Sequence, residues 1–92
     1  MKFMVNCSLR PDKSRDAFKN FVKDGPADES WELVRKRVVV EFAFKVGTVP
    51  GAILFMECES EDQVRGQVEK MPGIREGWLD YQIDPISAVA KF

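Results

Sequence analysis

Trp78-Leu79-Asp80-Tyr81-Gln82-Ile83-Asp84-Pro85-Ile86, introduced by the punctuation Met71-Pro72-Gly73, is the stretch whose reading decides the fold. Leu79, Tyr81 and Ile83 share one parity, and Trp78, Asp80, Gln82 and Asp84 take the other, the period-two alternation of a strand with one buried face. It answers an opening strand of the same kind, Lys2 to Leu9. There Phe3, Val5, Cys7 and Leu9 form an apolar parity against Met4, Asn6 and Ser8. The 92 residues suffice for one small core, so residues 1–92 are read as a single domain.

The intervening segments supply a helix, a hairpin and a second helix. Pro11 ends the first strand, and Asp12 or Ser14 can cap a helix whose Ala17, Phe18, Phe21 and Val22 share one side. Asp24-Gly25-Pro26 should stop it, because Gly suits the left-handed position after a helix and Pro cannot continue one. Residues 26–34 read either as a short helical turn around Ser30, Trp31 and Val34 or as an ordered loop.

From Lys36 to Val46 the alternation returns, with Val38, Val40, Phe42, Phe44 and Val46 on one face. Arg37, Val39, Glu41, Ala43 and Lys45 lie on the other. Gly47-Thr48-Val49-Pro50-Gly51 is a turn by composition, and residues 52–59 return as a strand. Ser60-Glu61-Asp62-Gln63 has the form of a capping box opening a helix that packs through Val64 and Val68 and stops near Met71-Pro72-Gly73.

Right-handed crossovers restrict this element order to few topologies. The simplest is an α+β fold of ferredoxin-like type, β-α-β-β-α-β, with a four-stranded antiparallel sheet and two helices on one face. The helix-covered face takes the fully apolar parities. The open face then carries Met4, Asn6, Ser8, Val39, Glu41, Ala43, Ile53, Phe55, Glu57, Trp78, Asp80 and Gln82. A half-apolar exposed face of that extent implies a partner, and a homodimer is the commonest symmetric answer.

Bulk composition excludes several classes. With 14 basic and 15 acidic residues the net charge is −1, which argues against nucleic acid as a partner. No run approaches the ~20 apolar residues that span a bilayer, and polar Asn6 and Ser8 interrupt the apolar start, so a cytoplasmic protein is expected. Cys7 and Cys58 each lie in an apolar alternating run and are expected as reduced core thiols. Phosphate-binding loops and metal-ligand spacings are missing, so neither metal nor cofactor is expected.

The candidate chemistry lies on the open face. Glu41, Glu57 and Asp80 come from three strands, and a carboxylate in an apolar enclosure has its pKa raised and can shuttle a proton. Glu41 and Glu57, nearer strand centres, are the catalytic candidates, and pairing with Arg37 or Lys45 is the structural alternative. Asn6 and Arg37 would orient an anionic or carbonyl group. Trp78 would stack on a planar ligand or fill an interface, and Asp80 would border the same site. Trp31 and Val34 would either cover a cleft or make an ordinary helix–sheet contact. Cys58 lacks an activating His and has Glu57 and Glu59 as neighbours, which disfavours a nucleophilic role.

Met1, Phe3 and Val5 at the start resemble the dimeric α/β-barrel proteins, and most nearly the muconolactone delta-isomerase type. So do Phe55-Met56-Glu57-Cys58-Glu59-Ser60, Met71-Pro72, and Tyr81-Gln82-Ile83-Asp84-Pro85-Ile86. The resemblance spans most of the chain, with its better part in the second half. It implies a dimer and cofactor-free acid–base chemistry on a small cyclic metabolite. Where that family carries His and Trp entering its second strand, this chain has Arg35-Lys36-Arg37. Haem-using relatives ligate iron through His, and this sequence contains no His.

The expectation is therefore a homodimer that binds a small cyclic or aromatic-derived metabolite and moves a proton through Glu41 or Glu57. A cofactor-independent monooxygenase using Trp78, and a non-catalytic ligand-binding or assembly module, are the alternatives.

Overall fold

The computed structural model describes residues 1–24 and 27–87, with 27–30 described by their backbone alone. Strand β1 (Lys2–Leu9) leads to helices α1 (Arg15–Lys23) and α2 (Ala27–Arg35), then to strands β2 (Val39–Phe44) and β3 (Gly51–Glu57). Helices α3 (Glu61–Val68) and α4 (Pro72–Arg75) precede the last strand, β4 (Leu79–Ile86). The strands form one antiparallel sheet in the order β2-β3-β1-β4, the ferredoxin-like arrangement with β1 inside. The crossovers are richer than expected. Residues 27–35 are helical, and Pro72, in the first turn, starts the extra helix α4 in what the sequence marked as a helix stop.

Local signals account for most boundaries. Ser14, not Asp12, caps α1 by accepting from the Ala17 N–H at 3.2 Å. The Gly25-Pro26 stop lies outside the described residues. Ser60 caps α3 through the Gln63 N–H, while Gln63 Oε1 accepts from the Glu59 N–H, one residue before the cap. At the end of α2 the Arg37 N–H bonds to the Val34 carbonyl and the Val38 N–H to that of Leu33. This pair of bonds is a Schellman closure. It holds Arg37 in the left-handed region at φ 59° and leaves Leu33 and Val38 against the core.

β1 supplies the centre of the core. Phe3, Val5, Cys7 and Leu9 point to the covered face, where Phe3 and Val5 meet Leu54 and Met56 of β3 and Val64 and Val68 of α3. Five side chains, Phe3, Val5, Met56, Val64 and Val68, are all but fully shielded. Each contributes about 1.5–3 kcal/mol by leaving water, so this seam under α3 dominates the stability. Cys7 and Cys58 are both buried and free.

β2 departs from strict alternation. Val39 pairs with Met56 but Glu41 pairs with Phe55, so Val39 and Val40 together oppose one residue in a bulge. The extra residue turns Val39 into the core and leaves Val40 46% exposed, the reverse of the parity expected for both. After the bulge Phe42 and Phe44 follow the covered face, opposite Leu54 and Ala52. On β3, a Cβ at Gly51 would collide with the Cys7 carbonyl oxygen, so only Gly allows the backbone approach there.

α1 is the exception to good packing: none of its residues is buried, Ala17 is exposed, and Val22 is 48% exposed. No described helix is long and apolar enough to cross a membrane.

Because Arg37 occupies a backbone conformation that costs an L residue about 1–2 kcal/mol, Arg37→Gly should stabilise the fold by roughly 0.5–1 kcal/mol after the added chain entropy of Gly. A urea midpoint that falls on this substitution would contradict the cap assignment.

Candidate functional site

A gap beneath α1 forms a cavity of about 610 Å3. That lies within the roughly 300–1,000 Å3 range of small-molecule sites. It opens between the covered face of the sheet and α1, α2 and α4, not on the open face where the sequence placed the cleft. Its floor is Cys7, Ala52 and Leu54, the end of the covered face that α3 does not reach.

Aromatic side chains contribute two of its walls. On the β2 side Phe42 stands edge-on to both Trp31 and Phe44, with ring centroids 5.2 and 5.5 Å apart. On the α1 side Phe18 and Phe21 have centroids 6.3 Å apart, and both line the cavity. Behind them Trp78 packs on Phe21 at 5.2 Å and on Phe18 at 5.9 Å. Phe44, 70% exposed, and Trp31, 41% exposed, place the mouth on the β2–α2 side.

The polar lining is one-sided. Arg15, Lys19 and Lys45 border the cavity, and no carboxylate among the described residues does. Lys45 Nζ donates to Ser8 Oγ at 2.7 Å. Burial pushes the Cys7 thiol up to about 11, against a smaller downward pull from the Lys45 ammonium. The thiol at the floor is therefore protonated at neutral pH and is a weak nucleophile.

None of the six catalytic and binding candidates, Asn6, Arg37, Glu41, Glu57, Trp78 and Asp80, lines this cavity, whereas Trp31 and Val34, offered as a cleft cover or a helix–sheet contact, both do. Asn6, Glu41, Glu57 and Asp80 do share the open face, but the two glutamates are exposed there and no apolar enclosure surrounds them. The Glu57 carboxylate pairs with the Met1 amino group at 3.3 Å, and Asp80 pairs with Arg10 at 3.4 Å. Asp80 is thus a rim ion pair of the kind that contributes ~0–1 kcal/mol.

Arg37 is an exposed cap residue outside the strands, so strand parity never applied to it. Trp78 precedes β4, and its ring turns to α1 with Lys13 Nζ 5.5 Å from the ring centroid, not to the open face beside Asp80 and Gln82. Asn6 stands out on that face, because its Oδ1 is buried without a hydrogen-bond partner.

Sequence reasoning took Phe18, Phe21 and Val22 for ordinary core. A clue to the cavity was available in the small residues Ala52 and Gly51 and the thiol Cys7, which face α1 and fill little space. Phe42 and Phe44 were legible as covered-face residues, but not as the wall of a void.

No family model and no curated protein matches the chain. Among solved structures it is similar to the 5-chloro-2-hydroxyhydroquinone dehydrochlorinase of Burkholderia phenoliruptrix in complex with 2,5-dihydroxybenzoquinone. The TM-score is 0.73, the identity is 21%, and the match covers 95% of this chain and 94% of that one. A likeness at this identity establishes the shared ferredoxin-like α+β fold.

The Cys7 thiol gives a pH signature. Between its ordinary value of 9.0 and about 11 the folded protein retains a proton that the unfolded chain has lost, so stability falls as pH rises through this window. The total loss attributable to Cys7 is about 3 kcal/mol. Denaturation at pH 8 and pH 11 should therefore show a smaller alkaline loss in Cys7→Ala than in the parent; parallel losses would remove Cys7 as the cause.

Proposed function

We propose that this protein binds a small aromatic-derived metabolite in the cavity between α1, α2 and the sheet. The observation that carries the reading is an apolar cavity of about 610 Å3 whose lining includes Phe18, Phe21, Trp31, Phe42 and Phe44. Such a lining favours flat rings, which gain both area burial and ring–ring contacts of about 0.5–1.5 kcal/mol each. The quinone held by the dehydrochlorinase of the same fold is a flat ring of the kind such a lining favours, and supports the reading.

Binding is favoured over isomerase-type proton transfer by Glu41 or Glu57. Those carboxylates lie across the sheet from the cavity floor, whereas the described residues of the cavity lining include no carboxylate. In this reading Trp78 acts indirectly, by backing Phe18 and Phe21, so the monooxygenase alternative built on its contact with substrate loses its premise.

The reading includes a homodimer through the open face. Met4, Ile53 and Phe55 lie half-buried there around Asn6, an apolar patch that a second copy would cover.

Calorimetric titration with 2,5-dihydroxybenzoquinone tests the cavity. Binding should be lost in Ala52→Phe, which fills the floor, and retained in the Glu41→Gln/Glu57→Gln double variant. Binding that survives Ala52→Phe, with folding verified by circular dichroism, would move the site elsewhere. Sedimentation at micromolar concentration tests the dimer: the parent should sediment as a dimer and Phe55→Lys as a monomer, and a monomeric parent would refute the interface.

A further inference from the structure

The charge on the cavity wall has a direction. Arg15 and Lys19 are four residues apart on α1 and both border the cavity, so two like charges occupy neighbouring turns of one helix face. Like charges at this spacing repel and destabilise a helix. Arg15 is also the first residue of α1, where the helix dipole disfavours a cation. Neither side chain has an ion-pair partner among the described residues, although Asp16 and Asp24 belong to or end the same helix. The third cation of the lining, Lys45, already has the Ser8 hydroxyl as acceptor. Among the described residues every charged group on the wall is thus positive, and the two on α1 have no acceptor.

We infer that the cavity selects a planar aromatic anion, a ring carboxylate or phenolate, whose ring lies among the phenylalanines while its negative group faces Arg15 and Lys19. This rests on the binding function proposed above and adds the charge of the ligand to it. The bound anion offsets the repulsion between the two α1 cations and gives Arg15 the fork-shaped, charge-assisted contact that its guanidinium favours. It also supplies the apolar surface that α1 lacks on the sheet side, so Phe18 and Phe21 gain burial when the ligand enters. Arg15 and Lys19 set specificity, and the aromatic rows set shape.

Three probes separate the parts of the inference: 2,5-dihydroxybenzoate, the uncharged 2,5-dihydroxybenzamide, and octanoate as an aliphatic anion. Titrated at pH 7 and low salt, the benzoate should bind roughly tenfold more tightly than the benzamide, and the preference should shrink as salt is raised. In the Arg15→Gln/Lys19→Gln double variant the benzoate-to-benzamide ratio should fall toward one. Equal affinity of benzoate and benzamide for the parent, or a ratio untouched by the double variant, would overturn the charge assignment while leaving the cavity's binding role intact. Octanoate binding more tightly than the benzoate would overturn the aromatic assignment. Failure of all three probes to bind would remove this inference and the proposed function together.

Discussion

The fold is held by one seam, and that seam is off-centre. Val64 and Val68 of α3 press on Phe3, Val5 and Met56, and all five are sealed from water. Further along the same strands, Cys7, Ala52 and Gly51 present small groups, and α1 spans that end with no buried residue of its own. A sheet covered by equally bulky side chains along its length would pull both crossovers down onto it. Here the bulk is concentrated under α3, so the second crossover closes, while in the first α2 packs through Leu33 and Val34 and α1 stands off.

That asymmetry explains how so small a chain keeps a cavity of about 610 Å3. Open apolar volume forfeits dispersion contacts and costs stability in proportion to its size. The cost is tolerable only because the α3 seam is independent of it. The aromatic contacts at the gap complete the arrangement: Trp78 steadies Phe18 and Phe21 from the β4 side, and Phe42 steadies Trp31 and Phe44 from the β2 side. Rings held by other rings leave a gap with defined walls.

Much of the fold was legible in the residues. The alternation of Phe3, Val5, Cys7 and Leu9 and of Leu79, Tyr81 and Ile83 gave the covered face correctly, and the capping residues Ser14 and Ser60 do cap. The site was far less legible, for two physical reasons. Parity holds only while a strand is regular, and the bulge at Val39–Val40 inverted the β2 faces upstream of Glu41. It also has no meaning outside a strand, which is why Arg37 in its left-handed cap and Trp78 ahead of β4 were both assigned to a face they do not occupy. Periodicity reports which side chains point to the helices; it carries no information on whether the helices reach them.

The two faces of the sheet then divide the functional burden. The open face carries charges that are paired or solvated, such as Glu57 with the Met1 amino group and Asp80 with Arg10, around one unsatisfied amide oxygen of Asn6. The proposed homodimer rests on the apolar side chains between these charges, Met4, Ile53 and Phe55. The covered face carries aromatic rings, a protonated thiol and, among the described residues, cations without carboxylates, the features on which the proposed binding of a flat anion rests. β1 links them, because Asn6 and Cys7 are adjacent residues on opposite faces of an inner strand. Along this strand successive side chains therefore alternate between the open face and the covered face that includes the cavity floor.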